Sequence, residues 1–297
     1  MSIVRISLFS SHSRWYTAQQ FLDSNSYRHR SAFVKEFAFE HGQYRTASFS
    51  IPAFARAFPS LTFYPQLVRI VTCGSRLAKQ GRYHTADWCR GSFATLRALE
   101  RVGVTMSVTG LEHLTAFDGP CVFIGNHMST LETFVLPTLI APIKDATFVV
   151  KQSLVDYPIF KHIMRARNPI TVGRVNARDD FKAVLDGGTA RLNAGLSIII
   201  FPQTTRSAVF DPAAFNSIGI KLAKKAGVPI VPIALKTDAW GNGSFLKDYG
   251  RIEPSRPVHF AFGKPLRIRD RGTEEHEEII SFITARLKEW EEPPAGR

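Results

Sequence analysis

The sequence predicts an α/β fold in which a layered, mixed sheet is flanked by helices. From Val104 onward, short apolar runs alternate with amphipathic segments, which is the pattern of strands that alternate with helices. Hydrophobic residues make up 44% of the 297 residues, which is enough for a substantial core. A stretch with helical periodicity precedes the alternating part, so an N-terminal helical segment is expected before the sheet.

Three segments are expected along the chain. Residues 1–50 are polar and aromatic without a clear period and form a poorly defined start. Residues 51–103 are predicted to be helical and to dock on a membrane, and residues 104–297 to form the α/β domain. The N-terminus lacks the long apolar region of a signal peptide. No window offers the roughly 18 uncharged apolar residues of a spanning helix.

The elements are assigned from periodicity and from residues that start or stop a helix. Strands are predicted at VTMSVTG, CVFIG, ATFVVKQ, PITVGR, LSIIIFP, VPIVPIALK and PVHFAFG. Helices are predicted at Thr85–Val102, TLETFVLPTLI, YPIFKHIMRAR, ARDDFKAVLDGGTARLNAG, SIGIKLAKKAG and EEHEEIISFITARLKEW. We expect Pro137 to interrupt the second of these helices, because proline has no N–H. Gly187 and Gly188 are expected to form a local break in the fourth.

Charge and cysteine content narrow the class of protein. Lys and Arg outnumber Asp and Glu by 38 to 25, giving a net charge of +13, which favours anionic lipid, phosphorylated substrates or nucleic acid as partners. The three cysteines have neither metal-type nor disulfide-type spacing, so free thiols in a reducing compartment are expected. No His/Cys cluster indicates a metal, and no nucleic-acid recognition motif is present.

The stretch Ile51–Ile70 interleaves aromatic residues with arginines. Phe54, Phe58, Phe63 and Tyr64 alternate with basic residues and prolines. This mixture is typical of an element that lies on a membrane surface. A connection that packs on the core has the same composition, so both interpretations stay open.

The stretch GNHMSTLETF, residues 125–134, places His127 five positions before Glu132. One interpretation is a capping box, in which Ser129 caps a helix and Glu132 reaches back to it. The other is a catalytic pair. Five residues within one helix would separate the two side chains by about 140°, so they meet only if His127 lies on the turn before the helix. A carboxylate on one imidazole nitrogen would then make the other nitrogen a competent general base.

The stretch IIIFPQTTRS is predicted to end a buried strand and to release polar side chains into a loop. Hydroxyls, loop amides and the guanidinium of Arg206 can clamp a phosphate, although a polar turn with a surface arginine fits as well. Two further predicted strands end at Lys151 and Arg174, and ligands of α/β sheets bind at the carboxyl ends of strands. The candidate substrate-binding residues are therefore Lys151, Arg174, Gln203, Thr204, Thr205, Arg206 and Ser207.

The order NHMSTLE, ITVGR, FPQTTRS and VPIVPIAL resembles the four blocks of the glycerolipid and lysophospholipid acyltransferases, the 1-acylglycerol-3-phosphate acyltransferase group. The resemblance covers about Val104–Leu266. It implies transfer of a fatty acyl group from acyl-CoA or acyl carrier protein to a lysophospholipid hydroxyl in phospholipid biosynthesis, with no cofactor. His127 would be the general base and Glu132 its partner. Arg174 and Arg206, with its neighbours, would hold the acceptor phosphate.

Three residues depart from the pattern of that family. Glu132 stands where the family usually has aspartate, and Gln203 and Thr204 replace the acid and the glycine of FPEGTRS. The resemblance implies a peripheral or monotopic protein on the cytoplasmic face of a membrane, bound to its anionic surface and not to nucleic acid. Two alternatives remain: a lipid hydrolase or remodelling enzyme that uses the same pair to activate water, and a non-catalytic basic membrane-binding protein.

Overall fold

The structure is a computed structural model that describes residues 42–48, 50–158, 160–203, 205–243 and 247–292. These residues belong to one compact unit that spans residues 38–297. The predicted N-terminal segment, residues 1–50, lies almost entirely outside the described residues.

The secondary structure alternates as the sequence predicted, after an opening set of helices. The helices are α1 (Ala53–Ala57), α2 (Pro59–Lys79), α3 (Thr85–Arg101), α4 (Leu131–Ile140), α5 (Gln152–Asp156), α6 (Phe160–Ala166), α7 (Ala177–Asn193), α8 (Ile218–Ala226) and α9 (Thr273–Glu291). The strands are β1 (Tyr44–Arg45), β2 (Met106–Thr109), β3 (Val122–Gly125), β4 (Ala146–Lys151), β5 (Ile170–Val172), β6 (Ser197–Ile200), β7 (Ile230–Lys236) and β8 (Val258–Phe262).

The eight strands form one mixed sheet, which confirms the predicted fold class. Their order is β1-β2-β8-β7-β3-β6-β4-β5. The five strands from β7 to β5 are mutually parallel. The contact between β7 and β8 and that between β1 and β2 are antiparallel. The parallel half therefore has a single edge at which all five carboxyl ends emerge.

Helices cover both faces of the sheet. Val122 and Ile124 of β3 share one apolar cluster with buried residues of α7, α8 and α9. Successive strand residues point to opposite faces, and Phe148 of β4 faces the other way, where Trp88 of α3 packs on it edge-to-face with ring centroids 5.9 Å apart. The helices α2, α3 and α4 therefore cover the second face.

The helix α4 runs through Pro137 without a break, so the predicted interruption is wrong. The hydroxyl of Ser92, on α3, enters the hydrogen-bond ladder beside the proline. It accepts from the Thr138 N–H at 2.9 Å and donates to the Phe134 carbonyl at 2.6 Å. Those two backbone groups would otherwise bond to each other. A neighbouring helix thus repairs the distortion that proline introduces.

The helix α7 is also continuous, so Gly187 and Gly188 do not form the predicted break. A Cβ built on Gly188 would lie 2.6 Å from the Leu222 side chain. The glycine therefore allows α7 and α8 to pack closely, and the energy of that contact compensates for the low helix propensity of glycine.

The stretch Ile51–Ile70 forms α1 and the first half of α2, and it is not a loop. Phe63 is fully buried, and the Tyr64 hydroxyl donates to the Gly250 carbonyl, so these two aromatics face the protein and not solvent. Phe54 and Phe58 are 62% and 50% exposed. Among the described residues, no helix is both long enough and apolar enough to span a membrane.

Replacing Ser92 with alanine tests the bridge between α3 and α4. The variant leaves the Phe134 carbonyl and the Thr138 N–H buried without their partner, so we expect the free energy of unfolding to fall by about 1–3 kcal/mol. Urea denaturation measures this loss. Thr62→Ala removes a hydroxyl that bonds within its own exposed helical turn and should change stability by less than about 0.5 kcal/mol. Equal losses in the two variants would contradict the bridge.

Candidate active site

Polar side chains gather where the parallel strands end. Asn126 and His127 follow β3, Gln203 follows β6 and Thr237 follows β7. These three strands are neighbours in the order β7-β3-β6. The side chains therefore converge on one crevice at the carboxyl edge of the sheet, which is where ligands of α/β proteins bind.

His127 and Glu132 are in direct contact. The Nδ1 atom of His127 lies 2.8 Å from Oε1 of Glu132. His127 occupies the turn after β3, and Glu132 lies in the first turn of α4. The histidine side chain is 17% exposed, whereas the glutamate side chain is fully buried. His127 therefore lies on the turn before the helix, which is the geometry in which the two side chains can meet.

The Glu132 carboxylate is surrounded by hydrogen-bond donors. Oε1 also accepts from the backbone N–H groups of Met128 at 2.7 Å and Ser129 at 2.9 Å. Oε2 accepts from the Thr237 hydroxyl at 2.6 Å. Burial by itself would raise the pKa of Glu132, but the donors from His127, Thr237 and Ser129 outweigh it and lower the pKa below its usual value.

An ionised Glu132 fixes the tautomer of His127. Since the carboxylate can only accept, Nδ1 carries the proton and donates it to Oε1. Nε2 is then the nitrogen with a free lone pair. The ring is held in place by parallel stacking on Phe201, with ring centroids 4.5 Å apart. The imidazole therefore presents a proton acceptor in a fixed orientation.

The capping box is also present, in a modified form. Glu132 reaches back to the Ser129 N–H, as the motif predicts. The Ser129 hydroxyl accepts from the Leu131 N–H at 3.1 Å. The same carboxylate therefore starts the helix and contacts the histidine. The glutamate that stands in place of the aspartate of the related pattern accepts from both backbone amides with one oxygen.

Two residues that shape this crevice were not predicted from the sequence. Thr237 donates to the carboxylate, as described above. The Asn126 side chain pairs with both backbone groups of Leu235, donating to its carbonyl at 2.7 Å and accepting from its N–H at 2.8 Å. This pairing extends the β3–β7 contact beyond the strand end and fixes the start of the His127 turn. The signal for both was their position immediately after a buried strand.

Gln203 binds the backbone of the same turn. Its side-chain oxygen accepts from the His127 N–H at 2.6 Å, and the residue is 7% exposed. The Ser207 N–H donates to the His127 carbonyl at 2.9 Å. The loop after β6 thus holds both sides of the His127 peptide. An amide at position 203 keeps the acceptor of the related acidic pattern without adding a second buried charge beside Glu132.

Arg206 is partly buried in the same loop and is engaged at both ends of its guanidinium. One nitrogen donates to the Thr130 hydroxyl, and the other donates to Oδ1 of Asp248 at 2.6 Å. Thr205 is exposed, and the Ser207 hydroxyl donates to the Val209 carbonyl at 2.7 Å. The predicted residue Thr204 lies outside the described residues.

Lys151 and Arg174 lie at the same edge but farther along it. Lys151 ends β4 and Arg174 follows β5, and three strand spacings separate β5 from β3, or about 14 Å. The Arg174 N–H donates to the Asp180 carboxylate at 2.8 Å, and the residue has a φ of 58°. Both side chains are exposed. They flank the crevice and do not contact the His127–Glu132 pair.

The fold of this α/β protein is similar to that of a solved structure. The crystal structure of the 1-acyl-sn-glycerophosphate (LPA) acyltransferase PlsC from Thermotoga maritima superimposes with a TM-score of 0.59, covering 80% of this chain and 96% of that chain. The sequences are 16% identical, so this likeness shows the shared fold alone.

Sequence comparison shows which proteins the chain is similar to. Residues 105–236 match the family described as Acyltransferase. A 1-acyl-sn-glycerol-3-phosphate acyltransferase of Pseudomonas aeruginosa is 31% identical over 173 residues, which cover 58% of this chain and 65% of the relative. One from Chlamydomonas reinhardtii is 32% identical over 152 residues, which cover 51% and 43%. The chain thus matches less than two thirds of the length of these relatives.

The pH dependence of stability tests the charge state of Glu132. Because its pKa is lowered in the folded protein, the carboxylate contributes stability above its unfolded pKa of about 4.3, and loses it as pH falls through the folded value. We therefore expect wild type to exceed Glu132→Gln in free energy of unfolding at pH 7, with the difference shrinking below about pH 4. Urea denaturation across this range measures it.

The exposed Glu277→Gln serves as the matched control, because it removes a carboxyl group from the surface of α9. It should change stability by less than about 0.5 kcal/mol. A difference between wild type and Glu132→Gln that stays constant down to pH 2 would show that Glu132 is not ionised in the folded protein.

Proposed function

We propose that the protein transfers a fatty acyl group from acyl-CoA or acyl carrier protein to the hydroxyl of a lysophospholipid such as 1-acylglycerol-3-phosphate. The contact between His127 Nδ1 and the buried, donor-saturated Glu132 carboxylate carries this proposal. The match of residues 105–236 to the Acyltransferase family and the names of the relatives support acyl transfer to a glycerophosphate lipid.

The reaction needs one proton acceptor and no covalent enzyme intermediate. Nε2 of His127 takes the proton of the acceptor hydroxyl as its oxygen attacks the thioester carbonyl. A C–O bond forms, the C–S bond breaks, and the imidazolium gives its proton to the departing thiolate. Glu132 holds the ring and stabilises the imidazolium while the proton is on it.

The acceptor phosphate is assigned to the basic groups around the crevice. Arg206 offers a planar fork that suits a phosphate, with the hydroxyl of Thr130 beside it. Asp248 occupies the other side of that guanidinium, so a bound phosphate would replace a carboxylate as the partner of Arg206. Lys151 and Arg174 complete the positive rim, and Thr205 and Ser207 belong to the same loop as Arg206.

A membrane surface is the proposed source of the acceptor. Among the described residues, the exposed large hydrophobic side chains fall in two places: on and between α1 and α2, and in the loops that follow α5, β5, β6 and β7. They are Phe54, Phe58, Leu61, Val68, Tyr157, Val175, Val209 and Tyr249. The loops among these surround the crevice, so an apolar rim would bring it to the lipid.

The charge of the chain supports the same placement. A net charge of +13 attracts the protein to the anionic leaflet on the cytoplasmic side, where each well-placed basic residue contributes about 1 kcal/mol. We therefore propose a peripheral or monotopic protein on that face of the membrane.

Acyl transfer should depend on the His127–Glu132 pair. His127→Ala removes the proton acceptor, so we expect the rate of acylated lysolipid formation from acyl-CoA to fall by about 10²–10⁴-fold. Glu132→Gln should also lose most of the rate, because it no longer fixes the tautomer. His113→Ala, on the short helix Leu111–Thr115, is the control and should leave the rate unchanged.

Product analysis in the same assay separates the alternatives. Release of CoA without consumption of lysolipid would identify a hydrolase. Binding of vesicles without turnover, unaffected by His127→Ala, would identify a membrane-binding protein without catalysis. Full transfer in both His127→Ala and Glu132→Gln would remove the proposed mechanism.

Docking through α2 is tested by placing charge on its exposed apolar side. Leu61→Asp/Val68→Asp should weaken partition of the full chain onto phosphatidylcholine vesicles by at least about 100-fold, because burying one such side chain is worth about 1.5–3 kcal/mol. Ser281→Asp/Thr284→Asp adds the same charges to exposed positions of α9 and should have little effect. Co-sedimentation measures both, and equal partition of the two variants would contradict docking through α2.

A further inference from the structure

A second polar cleft lies outside the crevice, between the end of α2 and the start of α6. It has a volume of about 360 Å³ and is lined by Thr72, Ser75, Arg76, Lys79, Pro158, Lys161 and His162. None of these residues belongs to the His127 crevice. We refer to it as the α2–α6 cleft.

The α2–α6 cleft is strongly basic. Arg76 and Lys79 approach from α2, and Lys161 and His162 from α6. In the part of the chain that the structure describes, none of these four side chains forms an ion pair with a carboxylate. Lys161 interacts electrostatically with Asp156, but the carboxylate of Asp156 already forms an ion pair with Arg165 at 2.8 Å. The positive charge of the cleft is therefore left uncompensated.

The positive charge of the α2–α6 cleft affects the pKa of His162. Partial desolvation, together with the charges of Lys79, Lys161 and Arg165, lowers the pKa of this imidazole. Like charges held this close repel one another, and a bound anion would relieve the repulsion. The cleft thus gains more from binding an anion than a single surface lysine would.

A hydroxyl group in the cleft adds hydrogen-bonding capacity to its charge. Ser75 is 4% exposed and lines the cleft, whereas the nearby Thr72 hydroxyl donates to the Val68 carbonyl at 2.6 Å. A serine hydroxyl can donate one hydrogen bond. An oxygen-rich anion in the cleft would accept that hydrogen bond from Ser75.

The position of the cleft indicates where that anion comes from. With 100° per residue, Leu61, Val68 and Lys79 fall within about 20° of one line along α2. The first two positions on this line are apolar and the last is basic, and about 27 Å of helix separates Leu61 from Lys79. If the apolar part of α2 rests in the interface, the cleft lies at the level of the lipid headgroups.

We propose that the α2–α6 cleft binds the phosphate group of an anionic phospholipid, as a headgroup site separate from the acceptor site at His127. The inference rests on the membrane docking of the proposed function and adds a defined lipid contact to it. Arg76, Lys79 and Lys161 supply the charge, and Ser75 and His162 donate hydrogen bonds to phosphate oxygens.

The test compares binding of the full chain to phosphatidylcholine vesicles with and without a minority of phosphatidylglycerol. Phosphatidylglycerol is chosen because the charge of its phosphodiester is not balanced by a cationic group, as it is in phosphatidylcholine, and because it is not the proposed acceptor. The measured quantity is the ratio of the two binding constants. Lys79→Ala/Lys161→Ala should lower that ratio by about 10–30-fold, as expected for two well-placed lysines, and leave binding to pure phosphatidylcholine unchanged.

Two further variants separate a site from diffuse charge. Lys224→Ala/Lys288→Ala removes two exposed lysines from α8 and α9, on the other face of the sheet, and should lower the ratio by less than about twofold. Ser75→Ala changes no charge and should lower the ratio several-fold. Equal losses in the two double variants, or an unchanged ratio in Lys79→Ala/Lys161→Ala, would overturn the proposal.

A solution arm distinguishes a lipid headgroup from a soluble phosphate. The imidazole signals of His162, assigned by comparison with His162→Gln, are followed by NMR as inorganic phosphate or CoA is added. A response to either compound, with an unchanged vesicle ratio in the cleft variants, would assign the cleft to a soluble ligand and overturn the lipid proposal.

Acyl transfer on lysolipid dispersed in neutral detergent is measured in parallel, and Lys79→Ala/Lys161→Ala should retain the wild-type rate. If wild type shows normal transfer and Lys79→Ala/Lys161→Ala leaves the ratio of the vesicle binding constants unchanged, the result would count against the cleft alone. Absence of transfer in wild type would count against the proposed function alone.

Discussion

The buried carboxylate of Glu132 is the interaction on which the rest of the site depends. A fully buried charge is tolerated only when donors surround it, and here they come from a histidine ring, two backbone amides and the Thr237 hydroxyl. Meeting that requirement fixes the turn after β3, the start of α4 and the end of β7 together. The tautomer of His127 follows from the same constraint.

Each neighbouring element then has a defined task. The loop after β6 holds the His127 peptide through Gln203 and Ser207, and stacks Phe201 under the ring. Asn126 ties the turn to β7. Since these contacts form within the protein itself, the His127 imidazole is held in one orientation without a ligand. The general base of the proposed reaction needs such preorganisation, because positioning is then not a cost of the reaction step.

The exposed apolar side chains are concentrated on one side of the molecule. Apolar side chains are exposed along α2 and around the carboxyl edge of the parallel strands, while α7, α8 and α9 cover the opposite face of the sheet. The α2–α6 cleft and the His127 crevice both belong to the apolar side. One orientation on a lipid surface would therefore present both basic sites to phosphate groups.

The sequence by itself determined the fold class and the order of the strands along the chain, because periodicity is a local property, and it offered the contact of His127 with Glu132 as one of two interpretations of their spacing. It also placed Gln203 and Arg206 at a strand end. It could not determine that α4 passes through Pro137 or that α7 passes through Gly188, because Ser92 and Leu222 come from other helices. Thr237 lies 105 residues from Glu132 in the sequence, and it reaches the carboxylate only when β7 is packed beside β3. Likewise, the basic cleft forms only when α2 and α6 are packed together. Whether a polar group has a hydrogen-bond or ion-pair partner depends on contacts between segments that are distant in the sequence, and only the tertiary structure decides those contacts.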